Sequence, residues 1–519
     1  MKNHRALFLR FFLILILPGA RLMADTMAAN PPVAAAPPEI RTPPESPAPQ
    51  IHSAKVFGVR PNAPFLFTIA ATGNRPMTFA VDGLPSGLRL DPQTGRITGT
   101  LTAPGTYDTT VKATDALGSA QEKFKIVCGP LIGLTPAMGW NSWNCFASKV
   151  TADKVKAAAD AMVAKGLINH GWTYINIDDY WEVNPGKGKT DPTLAGPQRD
   201  AQGRILSNPR FPDMKGLTDY IHAKGLKAGL YSSPGPLTCG GCVASWQHED
   251  QDAQQYGDWG FDYLKYDWCS YGSVNGGDRS LPALKKPYQV MRAALDKVPR
   301  DILFSLCQYG WGNVWRWNAR IGGNSCRTTG DINDSWARMS DIGFNQAGLE
   351  KYAGPGHFND PDMLVVGKVG WHKELHDSRL TPSEQYTHMS LWCLLSAPLL
   401  IGCDMTQLDD FTLNLLTNDE VLAIDQDPLG RQASRVAQEG PLQVWAKDLE
   451  DGTKAVGLFN VNADPETPVT VKWSDLGITG KQTVRDLWRQ KDLGVFDGEY
   501  TVPVGRHDVM LVKISPVAK

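Results

Sequence analysis

The sequence predicts an α/β (β/α)8 barrel over residues 129–430, preceded by a β-sandwich over 51–128 and followed by an antiparallel β-sandwich over 431–519. Three observations carry this. Between Leu134 and about Gly430, eight apolar strand-like runs occur with helical patterns between several of them, the rhythm of a closed parallel barrel. On either side, short alternating strands separated by turn residues replace that rhythm. At 519 residues the chain is also too long for one ordinary domain.

The chain opens as a targeting segment. Lys2, Arg5 and Arg10 precede the apolar run Phe11 to Leu17, then Pro18-Gly19, and Leu22-Met23-Ala24 offers a small-residue cleavage site, so residues 1–24 read as an export signal. The apolar run is much shorter than the ~20 residues that span a bilayer, and no cysteine follows it to carry a lipid. No stable membrane span is expected, and residence is periplasmic or extracellular. Export permits disulfides, and nine cysteines leave at least one unpaired. Residues 25–50 form a Pro/Ala-rich linker; Asn30 to Gln50 has almost nothing to bury and reads as an extended spacer.

Phe65-Leu66-Phe67-Thr68-Ile69, Met77-Thr78-Phe79-Ala80-Val81 and Tyr107 to Ala113 alternate as strands of the first sandwich. Between them lie Gly83-Leu84-Pro85-Ser86-Gly87-Leu88 through Asp91 and Thr94-Gly95-Arg96-Ile97-Thr98-Gly99-Thr100. This glycine-punctuated pattern resembles a bacterial Ig-like repeat. A sugar-binding or cell-surface module is one reading. A spacer holding the next domain away from a wall or partner is the other, favoured because no aromatic platform is evident.

The barrel strands are assigned to Ala137–Trp140, Tyr174–Ile177, Ala228–Tyr231, Tyr263–Tyr266, Ile302–Leu306, Ser325–Thr328, Asp362–Val365 and Pro398–Ile401. The segment from Ala152 to Lys165 is helical, with its alanines, Val155 and Met162 on the buried side. Barrel enzymes place their chemistry at the carboxyl ends of strands. Polar groups fall there: Trp143, Asp178, Asp179, Tyr231, Lys265, Asp267, Gln308, Asp331 and Asp362. After Arg431 the runs Leu442–Ala446, Lys454–Asn460, Val469–Val471 and His507–Val512 read as strands of a closing sandwich without chemistry of its own.

Charge excludes two classes of partner. With 52 basic and 54 acidic residues, the net −2 gives no electrostatic case for nucleic acid or an anionic membrane. What stands out instead is a pair of carboxylates, Asp267 after Tyr263-Leu264-Lys265-Tyr266 and Asp331 in Gly330-Asp331-Ile332-Asn333-Asp334. Glycosyl transfer to water needs such a pair: one attacks the anomeric carbon and the other protonates the leaving oxygen. Lys265, two residues before Asp267 on the same strand face, is placed to keep Asp267 ionised. Asp331 must then sit where it can carry a proton.

Six motifs in order carry a family resemblance: Met138-Gly139-Trp140-Asn141-Ser142-Trp143-Asn144, Ile177-Asp178-Asp179-Tyr180-Trp181, Gly229-Leu230-Tyr231, Leu264-Lys265-Tyr266-Asp267, Asp331 to Trp336, and Asn359-Asp360-Pro361-Asp362-Met363-Leu364. From about Leu134 to the C-terminus the chain resembles glycoside hydrolase family 27, the α-galactosidase and α-N-acetylgalactosaminidase group. The resemblance implies a retaining double displacement with Asp267 as nucleophile and Asp331 as general acid/base, acting on a carbohydrate with terminal α-galactose. It implies substrate contacts from Trp143, Asp178, Asp179, Tyr231, Cys239, Lys265, Gln308, Arg327 and Asp362, with Arg327 facing the sugar 2-hydroxyl. It also implies disulfides Cys239–Cys269 and Cys307–Cys326. Cys145 and Cys242 are an extra pair or free thiols, and Cys393 and Cys403 read as buried thiols. His357 and His170 make no metal cluster with the acids, so neither metal nor other cofactor is expected.

At Leu306-Cys307-Gln308-Tyr309-Gly310-Trp311 the chain departs from the family, whose α-galactosidases usually carry Glu at the Gln308 position. Gln308 and Trp311 are large, which leaves room for a free 2-hydroxyl and none for an N-acetyl group. Another glycone, a β-L-arabinopyranoside or an isomaltose unit, stays open, although Asp179 argues mildly against arabinopyranose. A non-catalytic sugar-binding or adhesive protein is the alternative from a different class. Sequence does not fix the oligomeric state.

Overall fold

The structure, a computed structural model, describes residues 38–517. The export signal at 1–24 and the spacer before residue 38 lie outside the described residues. Glu39 to Lys519 forms one compact unit.

Eight parallel strands build the barrel: β1 (Met138–Asn141), β2 (Tyr174–Asn176), β3 (Lys227–Ser232), β4 (Tyr263–Asp267), β5 (Leu303–Cys307), β6 (Ser325–Arg327), β7 (Phe358–Asp360) and β8 (Leu399–Ile401). They pair in chain order, with β8 returning to β1 through Met138↔Leu399 and Trp140↔Ile401. A single parallel bridge, Leu364↔Ile401, joins the β7 segment to β8 and closes the ring. β7 lies four residues before its expected start. Asp362 has φ +82°, a conformation no strand residue adopts, so the chain turns after Asp360 and lays Asp362 across the mouth.

Six of the seven connections between consecutive barrel strands carry an α-helix. The first, α1 (Ala152–Ala164), is capped by the Thr151 hydroxyl, which accepts from the Lys154 N–H, and buries Val155, Ala158, Ala159 and Met162 as its alternation requires. After β5 the chain uses two short 3-10 turns, Val314–Arg316 and Ala319–Ile321, because Gly310, Gly312, Gly322 and Gly323 interrupt any helical run.

The first sandwich pairs a four-stranded sheet with the three-stranded sheet Pro64–Thr68, Arg96–Thr100, Leu88–Asp91, around Phe65, Phe79, Ile97, Phe124 and Ile126. It docks on the amino-terminal end of the barrel, away from the strand ends that carry chemistry. Arg60 donates from Nε to Asp301 Oδ1 at 2.6 Å and from its backbone N to Oδ2 at 2.9 Å. Thr68 Oγ1 donates to the Gly225 carbonyl at 2.8 Å. The C-terminal region is a six-stranded antiparallel sheet faced by the pair Thr467–Lys472 and Glu499–Val504. Its Trp445, Phe459, Trp488 and Leu511 belong to the barrel's own core, with Phe344 5.3 Å from Phe459 between ring centroids.

The described part of the spacer is not free. Arg41 is bidentate to Asp508 and lies 4.2 Å from the Tyr386 ring centroid. Glu45 pairs with His170 at 3.1 Å, and Gln50-Ile51 adds to Ala71-Thr72 as a strand. An inventory of apolar residues misses such a segment, since its anchors are ionic and aromatic rather than hydrophobic.

Candidate active site

The two-residue period of the strands decides which side chains reach the pocket. Lys265 pairs with Ser305, Asp267 with Cys307, and Ser305 with Ser325, so Lys265, Asp267, Cys307 and Arg327 share the inward face. Arg327 Nη1 approaches Cys307 Sγ at 3.8 Å. Cys326 lies on the other face, with Sγ 4.0 Å from Asn359 Oδ1. The expected Cys307–Cys326 disulfide is therefore absent: both are buried free thiols on opposite sides of the sheet. Cys239–Cys269 is formed. Cys145, Cys242, Cys393 and Cys403 are buried thiols.

The same parity corrects Gln308. Its Nε2 donates to the Leu284 carbonyl at 2.8 Å, outside the barrel wall, and the side chain is fully buried there. The inward residue is Tyr309, whose hydroxyl donates to Asp267 Oδ1 at 2.6 Å. Counting by twos from Lys265 and Cys307 would have found it. Tyr309 holds φ +58°, and Tyr180 and Asp362 are likewise left-handed, so backbone strain gathers around the pocket.

Asp267 is 6 % exposed and also accepts from the Tyr231 hydroxyl at 3.2 Å. Burial raises its pKa, and the Asp331 and Asp178 charges add to this, while Lys265 and the Tyr309 bond oppose it. Lys265 is committed elsewhere, donating to Asp178 Oδ2 at 2.8 Å, where Asn141 Nδ2 also donates at 2.9 Å. Asp179 is 1 % exposed; its Oδ1 accepts from the Tyr180 N–H and Thr238 Oγ1, and its Oδ2 from the Gly240 N–H at 2.6 Å. Burial pushes its pKa up to about 6.

Asp331 stands at the open side, its side chain 72 % exposed, accepting from Arg327 Nη2 at 2.9 Å. Arg327 holds Asp362 Oδ2 at the same distance, and Asp362 also accepts from the Ile332 N–H. Enclosure raises the Asp331 pKa, but Arg327, Lys265 and Arg338 together outweigh it and keep the carboxyl below its usual range. The proton preference is thus the reverse of the expected one: Asp267 is the weaker acid and Asp331 the stronger. The cause is Arg327, which turns to Asp331 and Asp362. Trp143 is half-buried, 6.4 Å from Tyr180 and 5.2 Å from His372 between ring centroids. Cys239 Sγ lies 3.8 Å from the Tyr309 hydroxyl.

Two groups of close acid and thiol ligand atoms occur among the described residues: Cys239, Asp267 and Cys269, whose sulfurs are joined, and Asp179, Glu182 and Cys242.

A carboxylate pair at the carboxyl ends of barrel strands, beside a lysine–carboxylate pair and a partly exposed tryptophan, is the layout of a glycoside hydrolase. Comparison with known proteins narrows the class. The sequence profile "Alpha galactosidase A" matches residues 135–427, the alpha galactosidase C-terminal β-sandwich profile matches 439–514, and an Ig domain profile matches 48–129. An α-galactosidase of Cyamopsis tetragonoloba is 41 % identical over 391 residues, 74 % of this chain and 87 % of that one. One from Coffea arabica is 40 % identical, covering 80 % and 99 %. The crystal structure of α-galactosidase I from Mortierella vinacea superposes with a TM-score of 0.65 at 33 % identity, covering 74 % of this chain and 97 % of that one. A Bacteroides fragilis chain assigned as an α-galactosidase/melibiase reaches 0.82 at 35 % identity, covering 92 % of this chain and 100 % of that one. The chain belongs to the α-galactosidase A family of glycoside hydrolases, glycoside hydrolase family 27.

Proposed function

We propose that this enzyme removes terminal α-D-galactosyl residues by a retaining double displacement. Asp267 attacks the anomeric carbon while Asp331 gives its proton to the glycosidic oxygen, leaving a glycosyl ester on Asp267. Asp331, now ionised, takes a proton from water, which attacks the same carbon and releases Asp267. This reading is supported by Asp267, seated on Tyr309 and Tyr231, feeling the charge of Asp331 from the exposed side, in a chain 41 % identical to an α-galactosidase.

The inverted proton preference fits a two-step cycle. Arg327 gains a further acceptor, beside Asp331 and Asp362, when a sugar 2-hydroxyl enters, weakening its hold on Asp331, and that carboxyl then keeps a proton for the leaving group. Once Asp267 is esterified its charge is gone, and a lower Asp331 pKa suits its turn as base. Lys265 and Asp178 bind ring hydroxyls as a pair. Asp179 has one lone pair left for sugar, Trp143 supplies an apolar face, and Tyr231, Cys239 and Asp362 complete the wall. Tyr309 takes the place first given to Gln308.

We assign export to residues 1–24, a reading supported by the formed Cys239–Cys269 disulfide. No described helix is long and apolar enough to cross a membrane. Parallel rates on p-nitrophenyl α-galactoside, α-N-acetylgalactosaminide, β-L-arabinopyranoside and α-glucoside test the glycone. The α-galactoside leads by at least tenfold in kcat/KM; a negligible rate on it overturns the assignment.

A further inference from the structure

Behind Asp179 lies a carboxyl that the mechanism does not use. Glu182 is 0 % exposed, and neither of its oxygens has a hydrogen-bond partner among the described residues. One of its oxygens, one from Asp179 and Cys242 Sγ lie within 4.8 Å of one another. The titratable groups facing Glu182 are Asp179, Asp178, Cys242 and Tyr256, and none can be a cation. The nearby ammonium, Lys265, is taken by Asp178 at 2.8 Å. Two buried acids without a cation of their own hold one charge between them. That charge falls on Asp179, which has three donors, rather than on Glu182, which has none.

We propose that Glu182 is a positioning residue: it holds the proton of the Glu182–Asp179 pair, so that Asp179 alone is ionised and clamps the loop carrying Cys239 over the glycone pocket. The clamp consists of Thr238 Oγ1 at 2.8 Å and the Gly240 N–H at 2.6 Å, both donating to Asp179, with the Cys242 N–H donating to Thr238 Oγ1 at 2.9 Å. Cys239 in this loop is bonded to Cys269, whose sulfur lies 3.4 Å from the Tyr231 hydroxyl, which itself donates to Asp267. A second charge at Glu182 would repel Asp179 across a site that excludes water and would release the loop. Burial pushes the Glu182 carboxyl well above the ordinary range, in the direction this arrangement needs. The inference rests on the α-galactosidase reading only for the role of the clamp, not for the proton.

The test uses the full chain with Glu182→Gln and Glu182→Ala. At pH 7 the infrared spectrum of the wild type shows the carbonyl stretch of protonated buried carboxyls, Asp425 among them, and the difference spectrum against Glu182→Gln shows a band lost with Glu182. Glu182 takes up a proton on folding, so its contribution to stability is complete below its unfolded pKa and is lost as pH rises toward its folded one. Glu182→Gln, which does not titrate, therefore gains in Tm relative to the wild type between pH 5 and pH 8. On p-nitrophenyl α-galactoside, Glu182→Gln keeps kcat/KM within about threefold, while Glu182→Ala raises KM at least tenfold with kcat less affected. Absence of the infrared band, a flat Tm difference, or equal damage by Gln and Ala overturns the proposal, as does a stoichiometric metal ion released by Glu182→Gln. If the band and the Tm slope hold but no galactoside is turned over, the substrate assignment fails and the shared proton stands.

Discussion

Replacing Tyr309 by Phe removes one hydrogen bond and almost no volume. The bond is short, 2.6 Å, and runs from a phenol to the buried carboxylate Asp267, which among the described residues otherwise accepts only from Tyr231 at a longer 3.2 Å. A hydrogen bond to a charged group contributes about 1.5–3 kcal/mol. Since a pKa unit corresponds to about 1.4 kcal/mol, its loss raises the Asp267 pKa by about one to two units. The sign is definite: the bond favours the charged form, so its removal favours the proton. Burial already holds this pKa up, so the change adds to an existing bias. Because Asp267 is the weaker acid of the pair, it is the alkaline limb of the kcat/KM profile on p-nitrophenyl α-galactoside that follows it, and this limb moves up by about one to two pH units. Below the new limb activity falls by about 10- to 100-fold. An unmoved limb with a uniformly lower rate would show that Tyr309 does not set the charge on Asp267 and would remove the basis for treating that residue as the nucleophile.

Arg338 donates from Nε to the Asp331 carbonyl at 2.8 Å and helps keep the Asp331 carboxyl ionised. Arg338→Gln raises the Asp331 pKa, so the acid limb moves upward by about half a unit at low salt and less at high salt, because the group is exposed; a downward move contradicts the assignment. Gln308→Glu places a carboxylate against the Leu284 carbonyl in a sealed site, costing about 1–3 kcal/mol of stability in chemical denaturation with little change in KM; a changed glycone preference at unchanged stability would return residue 308 to the pocket. His170, held between Asp419 at 2.8 Å and Glu45 at 3.1 Å, has its pKa raised to about 9, these bonds outweighing burial. Its contribution is complete below pH 6.5 and is lost as pH rises to 9, at most about 3 kcal/mol and less because Glu45 is exposed. His170→Gln flattens the stability profile over that window; an unchanged slope refutes the charged-histidine reading.

Much of this was legible in the sequence because strand-end chemistry is local. Asp178, Lys265, Asp267 and Asp331 sit beside apolar runs whose period shows itself, and seven of the eight strands lie where those runs are. The misreadings share a cause: side-chain parity along a strand cannot be fixed until the register with its neighbour is known. Gln308 for Tyr309 is a one-residue error in facing. The Cys307–Cys326 pairing failed the same way, joining two residues that point to opposite faces. The late placement of β7 came from Met363-Leu364-Val365, apolar because they are buried in the turn after the strand rather than in the strand. Glu182 gave no signal, since a carboxyl one residue after Trp181 reads as facing solvent until its burial is seen. Arg41 and Glu45 were hidden in a proline-rich stretch because their partners, Asp508 and His170, are remote in sequence.

As the proposed nucleophile, Asp267 must form the covalent bond to the sugar. Incubation with a slowly turned-over fluorinated α-galactosyl donor, followed by proteolysis and mass spectrometry, reads this out at residue resolution. One glycosyl ester is expected, on Asp267, with the first-formed sugar product of normal turnover in the α configuration. A label on Asp331 or elsewhere, or a β-configured first product, would contradict it.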